Sequence, residues 1–424
     1  MTYLVLGVYL LLLLFSATVY RKWSNPFVFF NLIWSIWLLI ATIGVDGVTP
    51  PREDVFAYFL LGGIVFNLAG FIFVLLDKVV HNQNSVRVRK DSQWYPVAAK
   101  VFTLLQVIIL IYYVYKSFSL WGILTSGGSY ERIRAYYYSD SYFKNTIEYL
   151  VVTYLFDPMV TLGEVVFAIN VFQRKRGKFT LCVVAVNAVL RSVISGGRMI
   201  IFEFAALILV CFLYLYKGYI RRNRKNKRKV ALLLVFAFFI ATIITLGRSD
   251  TEKTLLKAGV GSLVSNFTGS FSYFSILDKY GLYLPAQHGK VIFGGIVDLF
   301  LLFAKTFGLT NMPYISNELG NITSEFYLIG DYSFNAMPTM YYFFMTDFGK
   351  AGIVLGCTLL ALYCVYAYRR CERILTYKAL AMYLLMMLVV IESSMTWLPF
   401  KSSFIMTILY AALFMSNQSL PSKK

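Results

Sequence analysis

Residues 191 to 201 read RSVISGGRMII, and the apolar run FEFAALILVCFLYLY follows at once. Arg191 and Arg198 thus flank a Ser-Gly-Gly turn at the mouth of a strongly apolar segment. A charge at a bilayer centre costs about 2.5–3.5 kcal/mol on insertion scales, and less near the interface. Snorkelling beside a hairpin turn accounts for Arg198 better than for Arg191, which sits a turn or two deeper. A guanidinium fork facing a membrane cavity suits a phosphate or diphosphate. Arg248 repeats the theme in GRSD (247–250), where Asp250 could be its ion-pair partner. Arg132 and Arg134 stand in the Tyr-rich stretch SGGSYERIRAYYYSDSYFKN. Glu164 and Glu203 fall inside apolar runs, where a carboxylate is a functional candidate by default or a packing partner for Arg191 or Arg198. Asp140, Asp250, Asp278, Asp298, Glu318, Glu325, Asp331 and Asp347 are candidate bases toward a sugar hydroxyl. None stands in a DxD-like pair. His288, in LPAQHGK, is either a solvated loop residue or a proton acceptor; His81 reads as a loop residue. Five cysteines show neither a disulfide framework nor metal-like Cys/His spacing.

The elements that must position these residues are membrane helices. Hydrophobic residues make up 58% of the 424 and charged residues only 14%, a balance unsuited to a soluble domain of this size. The formal charge of +19 is carried by short basic loops beside apolar segments, without a stacking module or basic repeat, so nucleic acid is excluded as a partner and membrane lipid expected. Runs of about 20 apolar residues predict an all-α, polytopic membrane protein. Eleven transmembrane helices are expected near 3–20, 26–45, 55–76, 96–117, 148–170, 179–195, 199–216, 230–246, 348–368, 377–394 and 400–416. The first lacks preceding basic residues and a small-residue cleavage site, so it is not a cleavable signal. More than half of the 40 Lys and Arg fall in alternate loops: Arg21/Lys22, Lys78 to Lys90, Arg174 to Lys178, KGYIRRNRKNKRK (217–229), RRCER (369–373) and the tail. The positive-inside bias then sets the N-terminus outside and the C-terminus inside. Two large outer loops follow, near 118–147 and 247–347. Within the second, VIFGGIVDLFLLFAKTFG (291–308) reads as an interfacial or re-entrant helix. No repeat or linker divides the chain, so residues 1–424 are expected to form a single domain.

The stretch YSFNAMPTMYYFFMTDFGKAGIVLGCTLLALY (332–363) resembles the oligosaccharide repeat-unit polymerases, the Wzy-type O-antigen and capsule polymerases. RSVISGGRMIIFEF (191–204) is similar to that family's S-G-x-R element, and FTGSFSYF (267–274) to the aromatic start of its outer loop. Arg248 and Gly259 have the R-x10-G spacing described for some members; no second copy starts at Arg132, Arg134 or Arg198.

The resemblance implies a glycosyltransferase of the bacterial cytoplasmic (inner) membrane. It would join polyprenyl-diphosphate-linked oligosaccharide units on the outer face, for O-antigen of lipopolysaccharide or for capsule, without cofactor or metal. A flippase and a chain-length regulator are the implied partners. Arg191, Arg198 and Arg248 would stabilise the leaving diphosphate, and His288 or Asp347 would take the acceptor proton. Arg132, Arg134, Tyr136, Tyr137, Glu164, Asn335 and Tyr341 would bind substrate. An O-antigen ligase uses similar substrates, and a lipid-linked oligosaccharide flippase is a rival of another class. Transporters often carry inverted repeats, and none is visible here.

Overall fold

The protein is described from a computed structural model covering residues 1–44, 47–81, 96–125, 130–137, 142–171, 177–215, 224–246, 255–330, 332–335 and 337–418. The elements run α1 (Thr2–Tyr20), α2 (Pro26–Ile43), α3 (Glu53–His81), α4 (Pro96–Thr125), α5 (Tyr130–Tyr137) and α6 (Thr146–Val151). A π-helical turn (Val152–Phe156) joins α6 to α7 (Asp157–Asn170). Then come α8 (Lys178–Ser195), α9 (Met199–Leu215), α10 (Arg224–Leu246), α11 (Leu255–Lys279), α12 (Gly294–Thr306) and α13 (Ile315–Thr323). A hairpin of β1 (Tyr327–Ile329) and β2 (Tyr332–Phe334) precedes α14 (Met340–Phe348), α15 (Lys350–Arg373), α16 (Tyr377–Glu392) and α17 (Ser402–Phe414). Among the described residues, each of the eleven expected apolar segments is mostly helical. Among the described residues, seven helices are long and apolar enough to cross a membrane: α1 to α4, the α6–α7 helix, α8 and α15. α9 and α17 are apolar but shorter.

The chain packs as two compact units. Unit one comprises Met1–Arg87, Leu263–Arg373 and Met386–Ile405; unit two comprises Val88–Ser262, Ile374–Leu385 and Met406–Lys424.

In unit one, α1, α2, α3 and α15 bury an aromatic core whose polar groups answer one another. Asn31 and Asn67 exchange amide hydrogen bonds at 2.8 and 2.9 Å. Trp34 Nε1 donates to Ser393 Oγ at 2.9 Å, and its ring stacks on Phe271 at 5.2 Å. α3 presents Gly62 where Tyr341 lies against the backbone, and a Cβ there would occupy the tyrosine ring. At one end of α1, α3 and α15, Lys22 pairs with Glu372, Arg373 with Asp77, and Arg369 with Glu372 at 3.1 Å and Asp77 at 3.6 Å. Charge alternation assigns Lys22 and the RRCER segment to one membrane face, and in the structure these segments meet.

The described part of the stretch 247–347 is folded, as its aromatic, Gly-containing and moderately apolar composition leads one to expect. Most of its described residues are regular structure, beginning with the 25-residue α11. The part of α11 within unit one packs inside it, with Phe267 stacked on Trp37 at 4.1 Å. Its Ser and Thr residues lower its hydropathy below that of a spanning helix, while several of their hydroxyls are satisfied along the helix. Thr268 donates to the Val264 carbonyl at 2.7 Å and Ser270 to that of Asn266 at 2.8 Å. The apolar run 291–308 contains only the 13-residue α12, about 20 Å of helix against a hydrocarbon core of about 30 Å. It buries Gly294, Gly295 and Asp298 and exposes Phe293, Ile296, Phe300, Phe303 and Phe307 at three- and four-residue spacing. The hairpin after α13 is antiparallel, pairing Tyr327 with Phe334. Its turn requires Gly330, at φ 66°, because a Cβ would strike the Gly47 carbonyl.

Candidate functional site

The densest arrangement of buried charge in unit two starts at a proline. Pro158 has no N–H to return to the Tyr154 carbonyl, so the α6–α7 helix widens into its π-turn just before Asp157. The freed carbonyl is taken by Tyr410 Oη at 2.9 Å, and Gln106 Nε2 donates to the Met159 carbonyl at 2.7 Å. Beyond the turn, Asp157, Thr161 and Glu164 follow at i, i+4 and i+7 and share one face of α7. α8 sets Asn187, Arg191 and Ser195 at i, i+4 and i+8, and α4 contributes Gln106 and Tyr113.

These faces meet. Arg191 Nε lies 3.0 Å from Asp157 Oδ1, and Arg191 Nη1 donates to Thr161 Oγ1 at 3.1 Å. Tyr113 Oη donates to the same Asp157 Oδ1 at 3.1 Å. The Arg191 and Asp157 side chains keep 18% and 17% exposure, so the couple remains reachable. Asn187 Nδ2 donates to Gln106 Oε1 at 2.9 Å, one turn earlier on α8. Glu164 is fully buried, and neither carboxyl oxygen has a hydrogen-bond partner among the described residues. A second charged group lies farther along α4. Lys116, 4% exposed, is 2.8 Å from Glu148 Oε1, and Tyr112 Oη donates to that oxygen at 2.9 Å. Lys116 also donates to the Tyr142 carbonyl at 2.7 Å and sits over the Tyr142 ring.

The Ser-Gly-Gly turn closes α8 with a left-handed Gly196, φ 55°, and the Gly197 N–H returns to the Ser192 carbonyl at 3.0 Å. Arg198 follows, half-buried, at the start of α9. Arg132 is exposed on α5. Tyr136 and Tyr137 from the same helix pack on Tyr142, with ring centroids 5.7 and 4.7 Å away. The Arg134 side chain and all of Arg248 lie outside the described residues, as do Asp140, Asp250 and Asp331.

The remaining expected site residues belong to unit one, where the geometry revises their roles. Asp347 is buried and accepts the Val291 and Ile292 N–H groups at 3.0 and 2.5 Å, fixing the approach to α12. Burial pushes its carboxyl up from the ordinary aspartate range, against the opposing pull of those N–H groups. Such a carboxyl is committed to the backbone and is a poor proton acceptor for substrate. Asp298 does the same for α13, accepting from Ile315 and Ser316 at 2.8 and 3.1 Å. His288 is exposed with φ 51°, and its N–H donates to the Asp347 carbonyl oxygen at 3.3 Å. Tyr341 is completely buried, 3.4 Å from Tyr9 Oη, and is a core residue rather than a substrate contact. Asn335 ties the hairpin to the Ser324 carbonyl at 2.9 Å. Glu164 too is closed off from any substrate as it stands.

Asp157, Thr161, Tyr113, Lys116 and Glu148 were absent from the sequence-derived set. Asp157 had a readable signal, an Asp-Pro pair inside an apolar run, and Lys116 is a lysine near the end of a long apolar run. Arg191 pairs with Asp157, a partner outside the Glu164 and Glu203 alternatives. Among the described residues, no three His, Cys, Asp or Glu side chains converge as a metal would require. Comparison with protein-family models, curated proteins and solved structures returns no match to this chain.

Proposed function

We propose that this protein is a membrane-embedded glycosyltransferase that joins polyprenyl-diphosphate-linked oligosaccharide repeat units on the outer face of a bacterial cytoplasmic membrane. One observation carries the reading: a reachable Arg191–Asp157 couple, held by Tyr113 and Thr161, set into apolar helices beside the Ser-Gly-Gly turn that leads to Arg198. Charge is retained in such surroundings where it handles a charged or polar ligand. The resemblance of residues 191–204 and 332–363 to repeat-unit polymerases supplies the substrate class.

The reaction transfers a glycan from its lipid diphosphate to a hydroxyl of the next lipid-linked unit. The anomeric carbon–oxygen bond breaks as the acceptor oxygen bonds to that carbon. The diphosphate leaves with the bond electrons, and the hydroxyl proton passes to a base. Asp157 is assigned as the base in place of Asp347 or His288, because its side chain is partly exposed beside Arg191, whereas Asp347 is spent on two backbone N–H groups. Arg191 then acts chiefly by orienting Asp157, since its own charge is balanced there. Arg198 and Arg248 are assigned to the diphosphate, and Tyr136, Tyr137 and Tyr142 to sugar faces.

The size-resolved surface glycan of a deletion strain tests this reading. Loss of the ladder with single repeat units still attached supports a polymerase. Complemented Arg198→Ala and Asp157→Asn should each fail to restore the ladder at normal protein levels; full ladders from both would sink the assignment. Full-length chains stranded on the carrier would point to a ligase. A second reading, a proton-coupled transporter of the lipid-linked unit, draws on the buried Glu164 carboxyl. Accumulation of single units on the inner leaflet would favour it.

A further inference from the structure

Glu164 is the anomaly in unit two. A buried polar side chain normally has a partner, yet among the described residues this carboxyl has no donor on either oxygen at zero exposure. An ionised carboxylate in that setting would face desolvation with no donor among the described residues to offset it. The charged groups acting on it are Glu203 from α9, Arg191 from α8 and Asp157 from its own helix. α4 contributes Tyr113, which is bonded to Asp157. Glu203 and Asp157 add like charge, and the one cation in this set, Arg191, is occupied by Asp157 and Thr161.

The helix period makes the arrangement two-sided. Asp157, Thr161 and Glu164 occupy one face of α7, with the two carboxyls about 10 Å apart along the axis. Thr161 lies between them and already accepts from the guanidinium. We propose that Glu164 is a proton-binding site in unit two, and that its proton keeps Arg191 on Asp157. When the proton leaves to solvent, the Glu164 carboxylate competes for the same guanidinium from the same helix face. Arg191 then shifts past Thr161, and Asp157 is released. This inference goes beyond the proposed reaction and holds whichever chemistry unit two performs.

The test reads the proton itself, not glycan. Infrared spectra of the full-length protein in phosphatidylcholine bilayers are compared for wild type and Glu164→Gln, which is isosteric and neutral. The wild type at neutral pH should show a carboxylic-acid carbonyl band, slow to exchange in deuterated water, that Glu164→Gln removes. Identical spectra in that region would overturn the site. Raising the pH should abolish the band. In Asp157→Asn, where Arg191 loses its present carboxylate, the band should vanish at lower pH than in wild type. In Arg191→Gln it should persist to higher pH. A band that disappears at the wild-type pH in the variants that fold would overturn the exchange. A failed glycan experiment leaves all these spectra unaffected, so the two proposals fail separately.

Discussion

At the scale of single residues, charge in this protein is used in two distinguishable ways. Asp347 and Asp298 face backbone N–H groups and hold loops. Asp347→Ala would strand two buried N–H groups, and a loss of about 2–5 kcal/mol in unfolding free energy is expected. Chemical denaturation in detergent would measure it, and a loss below about 0.5 kcal/mol would contradict the role. Asp157 and Arg191 face each other instead, partly exposed. Breaking a buried pair costs about 3–5 kcal/mol, and partial exposure brings the expected loss for Arg191→Met or Asp157→Leu to about 2–3 kcal/mol. The double variant should recover most of that loss, because no uncompensated charge remains. Additive losses would show that the two residues are not coupled.

At the scale of elements, Pro158 explains why the site sits where it does. The proline removes one helix hydrogen bond, the helix widens, and Tyr410 takes the orphaned Tyr154 carbonyl. Tyr410→Phe should therefore cost about 1 kcal/mol in the native background. In Pro158→Ala the restored N–H can reach that carbonyl, and the same tyrosine change should then be nearly neutral. Equal losses in both backgrounds would refute the explanation. α11 illustrates the opposite case, a helix rich in Ser, Thr and Gly in which Thr268 and Ser270 bond back to their own helix and Ser272 donates to the Thr49 carbonyl. Hydropathy alone passes over such an element, although its aromatic residues are core-facing.

At the scale of the whole molecule, charge alternation in the sequence predicts an orientation that labelling can test. Lys22, Arg369 and Arg373 meet in one ionic network in unit one. Single cysteines substituted at Lys22 and at Arg373 should react with a membrane-impermeant thiol reagent from the same side, the cytoplasm. A cysteine at the exposed Lys290 should react from outside. The labelling is best done in a background with the five native cysteines replaced. Labelling of Lys290→Cys only from the cytoplasm would reverse the outer-face assignment and with it the proposed reaction.

The sequence by itself determined that the chain is built from apolar helices, where most of them lie, and that Arg191 and Glu164 are exceptional. These features follow from local quantities, hydrophobic run length and the energetic burden of a charge in an apolar segment, which need no knowledge of neighbours. Helix ends agreed within a few residues for α1, α2, α8 and α9. Only the tertiary structure decided which charges are paired and which polar groups are spent on the backbone. That Arg191 meets Asp157 and Thr161, that Tyr341 fills the space above Gly62, and that Asp347 is taken up by two N–H groups depends on contacts between separate segments brought together by packing. The faces that helices turn toward one another are fixed by packing, so the partners of a charge stay illegible until the helices are assembled.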